Sequence, residues 1–244
     1  MLLASTIALS YALGLMIVAR SVKQGCFSRF PFFQSYLLYF LASGLVAVIF
    51  SVWIRGYFPQ YFWIRFLTLV VAEFALLVQI GDHVFSPYPV LRSIGRMVTI
   101  GVALVFSAAY VVPPLLKVHS SENSIYDLTL HSAVIKGLVT TLLVGLAAYS
   151  HVPLGRNIKA IVLGLMSYLA INIANFALVR QLGWDAYGQA FATIGPLSQT
   201  LMLLIWAVGL WTYELAPASV RRSQELSAER LAHYDTSLQR LLRR

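Results

Sequence analysis

Two charged side chains, Glu73 and Lys136, lie within long apolar stretches of the sequence. An ionisable group inside a membrane-spanning segment is costly, which makes each of them a candidate for function. At about 1.5 Å per helical residue, Glu73 lies roughly 18 Å and Lys136 roughly 12 Å from the outer ends of their predicted segments. Thr129, Ser132 and Thr140 share a helix face with Lys136. The similar depths favour one charged site for a ligand, a proton or an ion.

Amide and hydroxyl side chains recur at helical spacing at a similar depth. Tyr168, Asn172 and Asn175 are spaced as i, i+4 and i+7, which places them on one helix face. Gln199 follows the dipeptide Gly195-Pro196, which predicts a break in its helix. We therefore predict one polar pocket in the outer half of the molecule, lined by Glu73, Lys136, Tyr168, Asn172, Asn175 and Gln199.

The two buried charges also have a structural interpretation. They would then form an ion pair supported by interhelical hydrogen bonds, or the lysine would extend to the outer membrane surface. The sequence has no HExxH or CxxC pattern and no set of acid, base and nucleophile. Asp82, His83 and His151 lie at inner segment ends, where we interpret them as solvated interfacial side chains. We expect no bound metal, no cofactor and no enzymatic activity.

The elements that must position these residues are membrane-spanning helices. Of 244 residues, 59% are hydrophobic and 11% are charged, whereas a soluble domain has about 25% charged residues. The apolar residues form seven blocks, each near the roughly 20 residues with which a helix crosses a bilayer. Barrel strands would be shorter and would alternate in polarity. The predicted spans of this all-α transmembrane bundle, which covers 1–216, are 2–19, 34–54, 61–81, 94–116, 128–149, 157–179 and 189–213.

Positive charges divide unevenly between alternate connections. One set of connections, with the C-terminal tail, holds thirteen Lys and Arg residues, and the other set holds four. Because cytoplasmic loops retain these cations, the N-terminus is predicted outside and the C-terminus inside. This orientation explains most of the net charge of +9, so we expect the lipid bilayer and not nucleic acid as a partner. The larger set is Arg20, Lys23, Arg29, Arg92, Arg96, Arg156, Lys159, Arg221, Arg222, Arg230, Arg240, Arg243 and Arg244, and the smaller is Arg55, Arg65, Lys117 and Arg180.

Aromatic residues gather at two predicted membrane boundaries. Phe30, Phe33 and Tyr36 belong to one cluster, and Tyr61 and Trp63 belong to the other. Amphipathic rings favour the headgroup level, so we interpret both clusters as membrane anchors. A stacking surface for bases or sugars is the functional alternative.

The composition changes after Pro217, and 217–244 are predicted to form a cytosolic amphipathic helix. Leu231, Tyr234, Leu238 and Leu241 are separated by three, four and three residues, which is the seam of a heptad pattern. With about two heptads, the tail suits a short coiled coil with a protein partner or a second copy. A basic helix lying on an anionic leaflet is equally compatible with the pattern.

Several short motifs resemble an uncharacterised family of small bacterial seven-helix membrane proteins. They are the Arg29-Phe30-Pro31-Phe32-Phe33 segment that leads to Tyr39, Glu73 with the later His83-Val84-Phe85 and Tyr88-Pro89, Leu163-Gly164 with Tyr168, and the leucine-rich tail. This resemblance implies the seven-helix fold, a location in a bacterial inner membrane and no particular activity. Microbial rhodopsins do not fit, since they attach retinal through a lysine in the seventh helix and the seventh span here has none.

Two functions follow from these features. The first is a non-enzymatic bundle that senses or binds a ligand in its outer half and contacts a partner through the cytosolic tail. The alternative is a small secondary transporter or proton-coupled carrier that uses Glu73 and Lys136. The sequence leaves open which helices are neighbours, and so whether the two charges meet.

Overall fold

In the computed structural model of the chain, the described residues are 2–25, 30–53, 58–86, 88–111, 122–150, 152 and 154–211. Within these ranges the fold is all-α, with no strand, which confirms the predicted fold class. Seven helices are long and apolar enough to cross a membrane. They are α1 (Leu2–Lys23), α2 (Pro31–Trp53), α3 (Phe58–Val84), α4 (Pro89–Phe106), α5 (Glu122–Tyr149), α6 (Arg156–Leu182) and α7 (Trp184–Gly209). The predicted tail helix, 217–244, lies outside the described residues.

Local sequence explains where several helices begin and end. Pro31 and Pro89 start α2 and α4, because proline has the backbone angle of a first helical residue and needs no donor there. A short π-helical segment, Ser107–Val111, continues α4. Gly183, with φ of 82°, separates α6 from α7 in a conformation that favours glycine. Each helix begins at or up to six residues before its predicted start, whereas α7 ends at Gly209, four residues before its predicted end.

The helix break predicted at Gly195-Pro196 is wrong, because α7 continues unbroken through Pro196. Proline lacks the N–H that would bond the preceding turn. Hydroxyl groups bond to carbonyls in this region: Ser198 donates to the Gly195 oxygen at 2.7 Å, and Thr200 donates to the Pro196 oxygen at 2.9 Å. Neither bond reaches the Ala192 carbonyl, the one that the proline leaves without its usual backbone donor.

The seven helices form a closed ring in chain order. Each helix packs against the next, α7 returns to α1, and α3 also packs against α5. Neighbours in sequence run antiparallel, as the bond between Phe33 at the start of α2 and Gln79 near the end of α3 illustrates. We call the end where α1, α3, α5 and α7 finish the basic end. Its described cations are Arg20, Lys23, Arg92, Arg96, Arg156 and Lys159.

Trp206 of α7 is fully buried in the apolar core. Its indole N–H donates to the Ile161 oxygen of α6 at 3.0 Å. The rings of Phe33 and Tyr36 meet it edge to face, with centroids 4.9 and 6.1 Å away. The two rings are only 1% and 2% exposed. The membrane-anchor role predicted for Phe33 and Tyr36 is therefore wrong: α2 turns these rings into the bundle, where they are shielded from lipid headgroups.

The outward faces of the helices are apolar. On α4, the side chains of Val90, Met97, Leu104 and Val105 are exposed. A soluble monomer rarely exposes a continuous apolar face of this kind, whereas lipid tails solvate it without cost. The distribution of polarity therefore agrees with a protein that is embedded in a membrane.

Candidate functional site

Glu73 and Lys136 form a salt bridge between α3 and α5. The Lys136 ammonium donates to Glu73 Oε2, and each side chain is 8% exposed. Direct packing of α3 against α5 brings the two groups together although they are 63 positions apart in the chain. The lysine therefore does not extend to the membrane surface. Of the two structural interpretations, the structure contains the ion pair.

Tyr36 of α2 supplies a third side chain to this cluster. Its hydroxyl donates to Glu73 Oε1 at 3.5 Å, a long hydrogen bond. Each carboxylate oxygen of Glu73 thus has its own donor, the ammonium on one side and the phenol on the other. Such pairing is what a buried carboxylate requires, because an isolated charge in an apolar medium costs many kcal/mol.

The cluster lies close to the middle of the apolar helices. Glu73 is near the centre of the span Tyr61–Val84, and Lys136 is slightly before the centre of Asp127–Tyr149. Tyr168, which lies within electrostatic range of Glu73 and Tyr36, is at the centre of Arg156–Leu182. Helices α3, α5 and α6 therefore place these side chains at mid-depth, and Tyr36 reaches Glu73 from nearer the start of α2.

One buried hydroxyl lies a helical turn from Lys136. Ser132 on α5 is 1% exposed, and no residue in the described ranges forms a hydrogen bond with its Oγ. Thr140, one turn to the other side, donates to the Lys136 carbonyl at 2.7 Å. Of these two hydroxyls on the Lys136 face, only that of Ser132 has no hydrogen bond in the described structure.

The amides predicted for the pocket instead join α6 to α7. Asn172 donates to Ser198 Oγ at 3.1 Å, and Asn175 donates to the Phe191 oxygen at 3.3 Å. Gln199 is half-buried, and its side chain forms no hydrogen bond with another described residue. Asn172 also donates to the Tyr168 carbonyl at 2.8 Å. In the described structure, this bond within α6 is its only link to the charged cluster.

Asp82 and His83, at the basic end, each contact another side chain. Asp82 accepts a hydrogen bond from Arg92 at 2.8 Å, with both side chains partly exposed. The His83 ring packs against Phe30, with centroids 4.5 Å apart. No group of three or more His, Cys, Asp or Glu side chains that could hold a metal occurs among the residues that the structure describes. His151 lies outside those residues.

Tyr36 is the member of the cluster that sequence reasoning missed. It lies near the start of α2 in a run of aromatic residues, a pattern that is also typical of a membrane boundary. The available signal was its spacing from Phe33 and Leu37, since positions three and four apart share a helix face. Together with Gln34, these three residues are the most buried in the first turns of α2.

No model of a known protein family, no curated protein and no solved structure matches this chain.

Proposed function

We propose that the protein is a non-enzymatic membrane bundle that binds a small charged solute or a proton at the Glu73 and Lys136 pair. The observation that carries this proposal is the pair itself, buried at mid-depth between α3 and α5. Ionisable side chains are rare at this depth and usually serve binding or transfer of charge. A purely structural bridge between helices needs no charge, since apolar side chains of similar size stabilise such contacts equally well.

The pair provides two alternative states. In the first state the two side chains pair with each other and hold α3 against α5. A proton on Glu73, or a solute that offers a carboxylate to Lys136 and a cation to Glu73, replaces the internal partner. A ligand shifts the packing of the helices only if it binds one state better than the other, and competition for the same charges supplies that difference.

The orientation and partners belong to the same proposal. The basic end faces the cytosol of a bacterium, in accordance with the retention of Lys and Arg on that side. The tail then lies in the cytosol, where Leu231, Tyr234, Leu238 and Leu241 contact a partner protein or a second copy. A change in the packing of the bundle reaches this tail through α7.

Distance measurements between α3 and α5 test the two-state proposal. Spin labels are attached to cysteines that replace Val71 on α3 and Leu142 on α5, two exposed positions, in a Cys26→Ser background. Glu73→Gln mimics the neutralised carboxylate and is expected to change the label distance in lipid nanodiscs. Thr68→Ala is the control, because Thr68 bonds only the Ile64 carbonyl of its own helix. An unchanged distance in Glu73→Gln would contradict the proposal.

A proton-coupled carrier is the second candidate, and the mid-depth position of the pair favours it. Carriers hold their coupling ions near the bilayer midplane. Proteoliposomes loaded with a pH-sensitive dye distinguish the two functions. Proton flux that disappears in Glu73→Gln and survives deletion of 217–244 would establish the carrier. The sensory bundle is expected to show no flux above that of empty liposomes.

A further inference from the structure

Arg65 of α3 lies between the ion pair and the end of the bundle opposite the basic end. It comes about two helical turns before Glu73, which places it roughly 12 Å closer to that end. It is half-buried, and its Nε donates to Ser43 Oγ of α2 at 3.2 Å. No Asp or Glu side chain in the described ranges forms a salt bridge with it. Since Glu73 is already paired with Lys136, the positive charge of Arg65 has no described counter-charge.

Two adjacent residues of α2, Ser43 and Gly44, bring side chains of α1 and α3 to the level of Arg65. The Tyr61 hydroxyl of α3 donates to the Ser43 carbonyl oxygen. The Tyr11 hydroxyl of α1 lies against Gly44, where a Cβ atom would collide with it. A small residue at this position therefore makes room for a phenol between α1 and α2.

Phenols from four helices lie near the guanidinium. Tyr11 of α1, Tyr36 of α2, Tyr61 of α3 and Tyr168 of α6 are all within electrostatic range of Arg65. The hydroxyls of Tyr36 and Tyr61 already donate to other groups. Those of Tyr11 and Tyr168 form no hydrogen bond with a described residue. Arg65 therefore has two further hydroxyl donors nearby, from helices on different sides of the ring.

A guanidinium and two hydroxyl groups are donors that suit a carboxylate. The planar fork of an arginine side chain bonds both oxygens of a carboxylate at once. The Nη groups of Arg65 have no acceptor among the described residues, and each of the two phenols can donate one bond. A single carboxylate balances the charge of Arg65, whereas a doubly charged phosphate would leave one negative charge unpaired in apolar surroundings.

We propose that Arg65, Tyr11 and Tyr168 bind the carboxylate group of a small organic acid in the half of the bundle opposite the basic end. The Nη groups pair with the carboxylate oxygens, and the two phenols donate to the same group. The bond from Nε to Ser43 holds the guanidinium in place and leaves its Nη groups for the ligand. The site is separate from the ion pair and does not depend on the function proposed for that pair.

Thermal unfolding of the whole protein in detergent tests the proposal. The melting temperature is compared in sodium propionate, in sodium chloride, and in sodium chloride with propionamide, at equal ionic strength. Propionate is expected to raise it above the other two, by about 3 °C or more when propionate exceeds its Kd tenfold. Propionamide has a similar shape without the charge, and chloride has the charge without the two oxygens.

Variants locate the effect. Arg65→Gln removes the guanidinium and is expected to abolish the propionate-dependent shift. Arg65→Lys keeps the charge without the fork, and Tyr11→Phe and Tyr168→Phe each remove one hydroxyl, so each is expected to weaken the apparent affinity about tenfold. Arg180→Gln and Tyr149→Phe are the controls and should retain the full shift. Arg180 is an exposed arginine of the same end, and Tyr149 is an exposed tyrosine of the basic end.

Four results would overturn the inference. Equal melting temperatures in propionate and chloride would mean that the site does not select a carboxylate. An equal rise with propionamide would mean that the charge is not recognised. A propionate-dependent shift that remains in Arg65→Gln, or that is unchanged in both phenylalanine variants, would place the ligand elsewhere. A rise with phosphatidylglycerol added to the micelles, but none with propionate, would assign Arg65 to a lipid headgroup.

Discussion

The carboxylate of Glu73 and the ammonium of Lys136 depend on each other because neither has water as an alternative partner. Both side chains are buried, and Tyr36 is the remaining donor that the structure gives Glu73. The loss of one partner from a buried pair is therefore more harmful than the loss of both. Comparing the loss of one partner with the loss of both therefore distinguishes a structural role of the pair from a functional one.

Lys136→Met is expected to lower the free energy of unfolding by about 3–5 kcal/mol, because Glu73 keeps a charge that Tyr36 alone cannot satisfy. The double variant Glu73→Gln with Lys136→Met removes both charges and should regain most of that loss. Unfolding in mixed micelles, followed by circular dichroism, measures both. Additive losses in the double variant would show that the two residues do not interact.

The identity of the two charged residues could be predicted from the sequence, but their pairing could not. An acidic and a basic residue inside apolar blocks are visible without any structure. Whether they meet depends on α3 packing across the ring against α5, and no sequence periodicity encodes that neighbour relation. The same limit explains Asn172 and Asn175, whose partners lie on α7 and not in the charged cluster.

The contact between α6 and α7 depends on a glycine that faces a large side chain. A Cβ atom at Gly164 would collide with the indole of Trp206 and would lie 3.2 Å from the Met202 carbonyl oxygen. Small residues allow membrane helices to approach closely, and here the space is occupied by a tryptophan from the next helix. The indole must therefore move if Gly164 is enlarged, although it is bonded to Ile161.

Gly164→Ala is expected to destabilise the protein by about 1–3 kcal/mol through overpacking. Gly145→Ala on α5 is the matched control, since a Cβ atom there has no neighbour within 4 Å. Its effect should stay within about 0.5 kcal/mol. Thermal unfolding in detergent measures both variants, and equal melting temperatures would mean that the indole moves aside without cost.

The ends of α1 and α7 are joined just before the predicted tail. The Arg20 guanidinium lies 4.8 Å from the Trp211 ring centroid, and Arg20 and Gln24 both donate to the Trp211 carbonyl, at 3.2 and 2.9 Å. A cation over an indole contributes roughly 0.5–1 kcal/mol at an exposed site. These contacts tie Trp211, the last described residue, to the end of α1.

Arg20→Ala is expected to speed tryptic cleavage at Arg221 and Arg222 by up to about fivefold, which corresponds to the loss of that contact. Limited proteolysis in detergent, with products identified by mass spectrometry, measures the rate. Lys23→Ala, a change of an exposed cation one turn further along α1, should leave the rate unchanged. Equal rates in all three proteins would mean that Trp211 does not restrain the segment that follows.

The number and length of the helices could be predicted from apolar block lengths, because a membrane demands about 20 apolar residues per crossing. The direction in which individual aromatic rings point could not. Phe33 and Tyr36 fit the interface pattern by composition, yet contact with Trp206 holds them in the core. Likewise, Pro196 predicts a break only if no tertiary contacts keep the flanking turns of α7 helical.

The whole molecule carries its cations asymmetrically. The basic end holds six described Lys and Arg residues at the helix ends, whereas Arg65 and Arg180 lie towards the opposite end. Retention of cations on the cytoplasmic side therefore predicts that the basic end faces the cytosol. Because consecutive helices of the chain alternate in direction, one measurement at a single connection determines the side of every other connection.

The single cysteine of the chain provides that measurement. Cys26 lies in the sequence between α1 and α2, a connection predicted to be cytosolic. A membrane-impermeant maleimide added to intact bacterial spheroplasts that express the protein is expected to leave Cys26 unlabelled and to label it after the membrane is permeabilised. The reporter for the other side is Ser120→Cys in a Cys26→Ser background, which should react before permeabilisation. The opposite pattern at both positions would reverse the proposed orientation, and with it the placement of the tail in the cytosol.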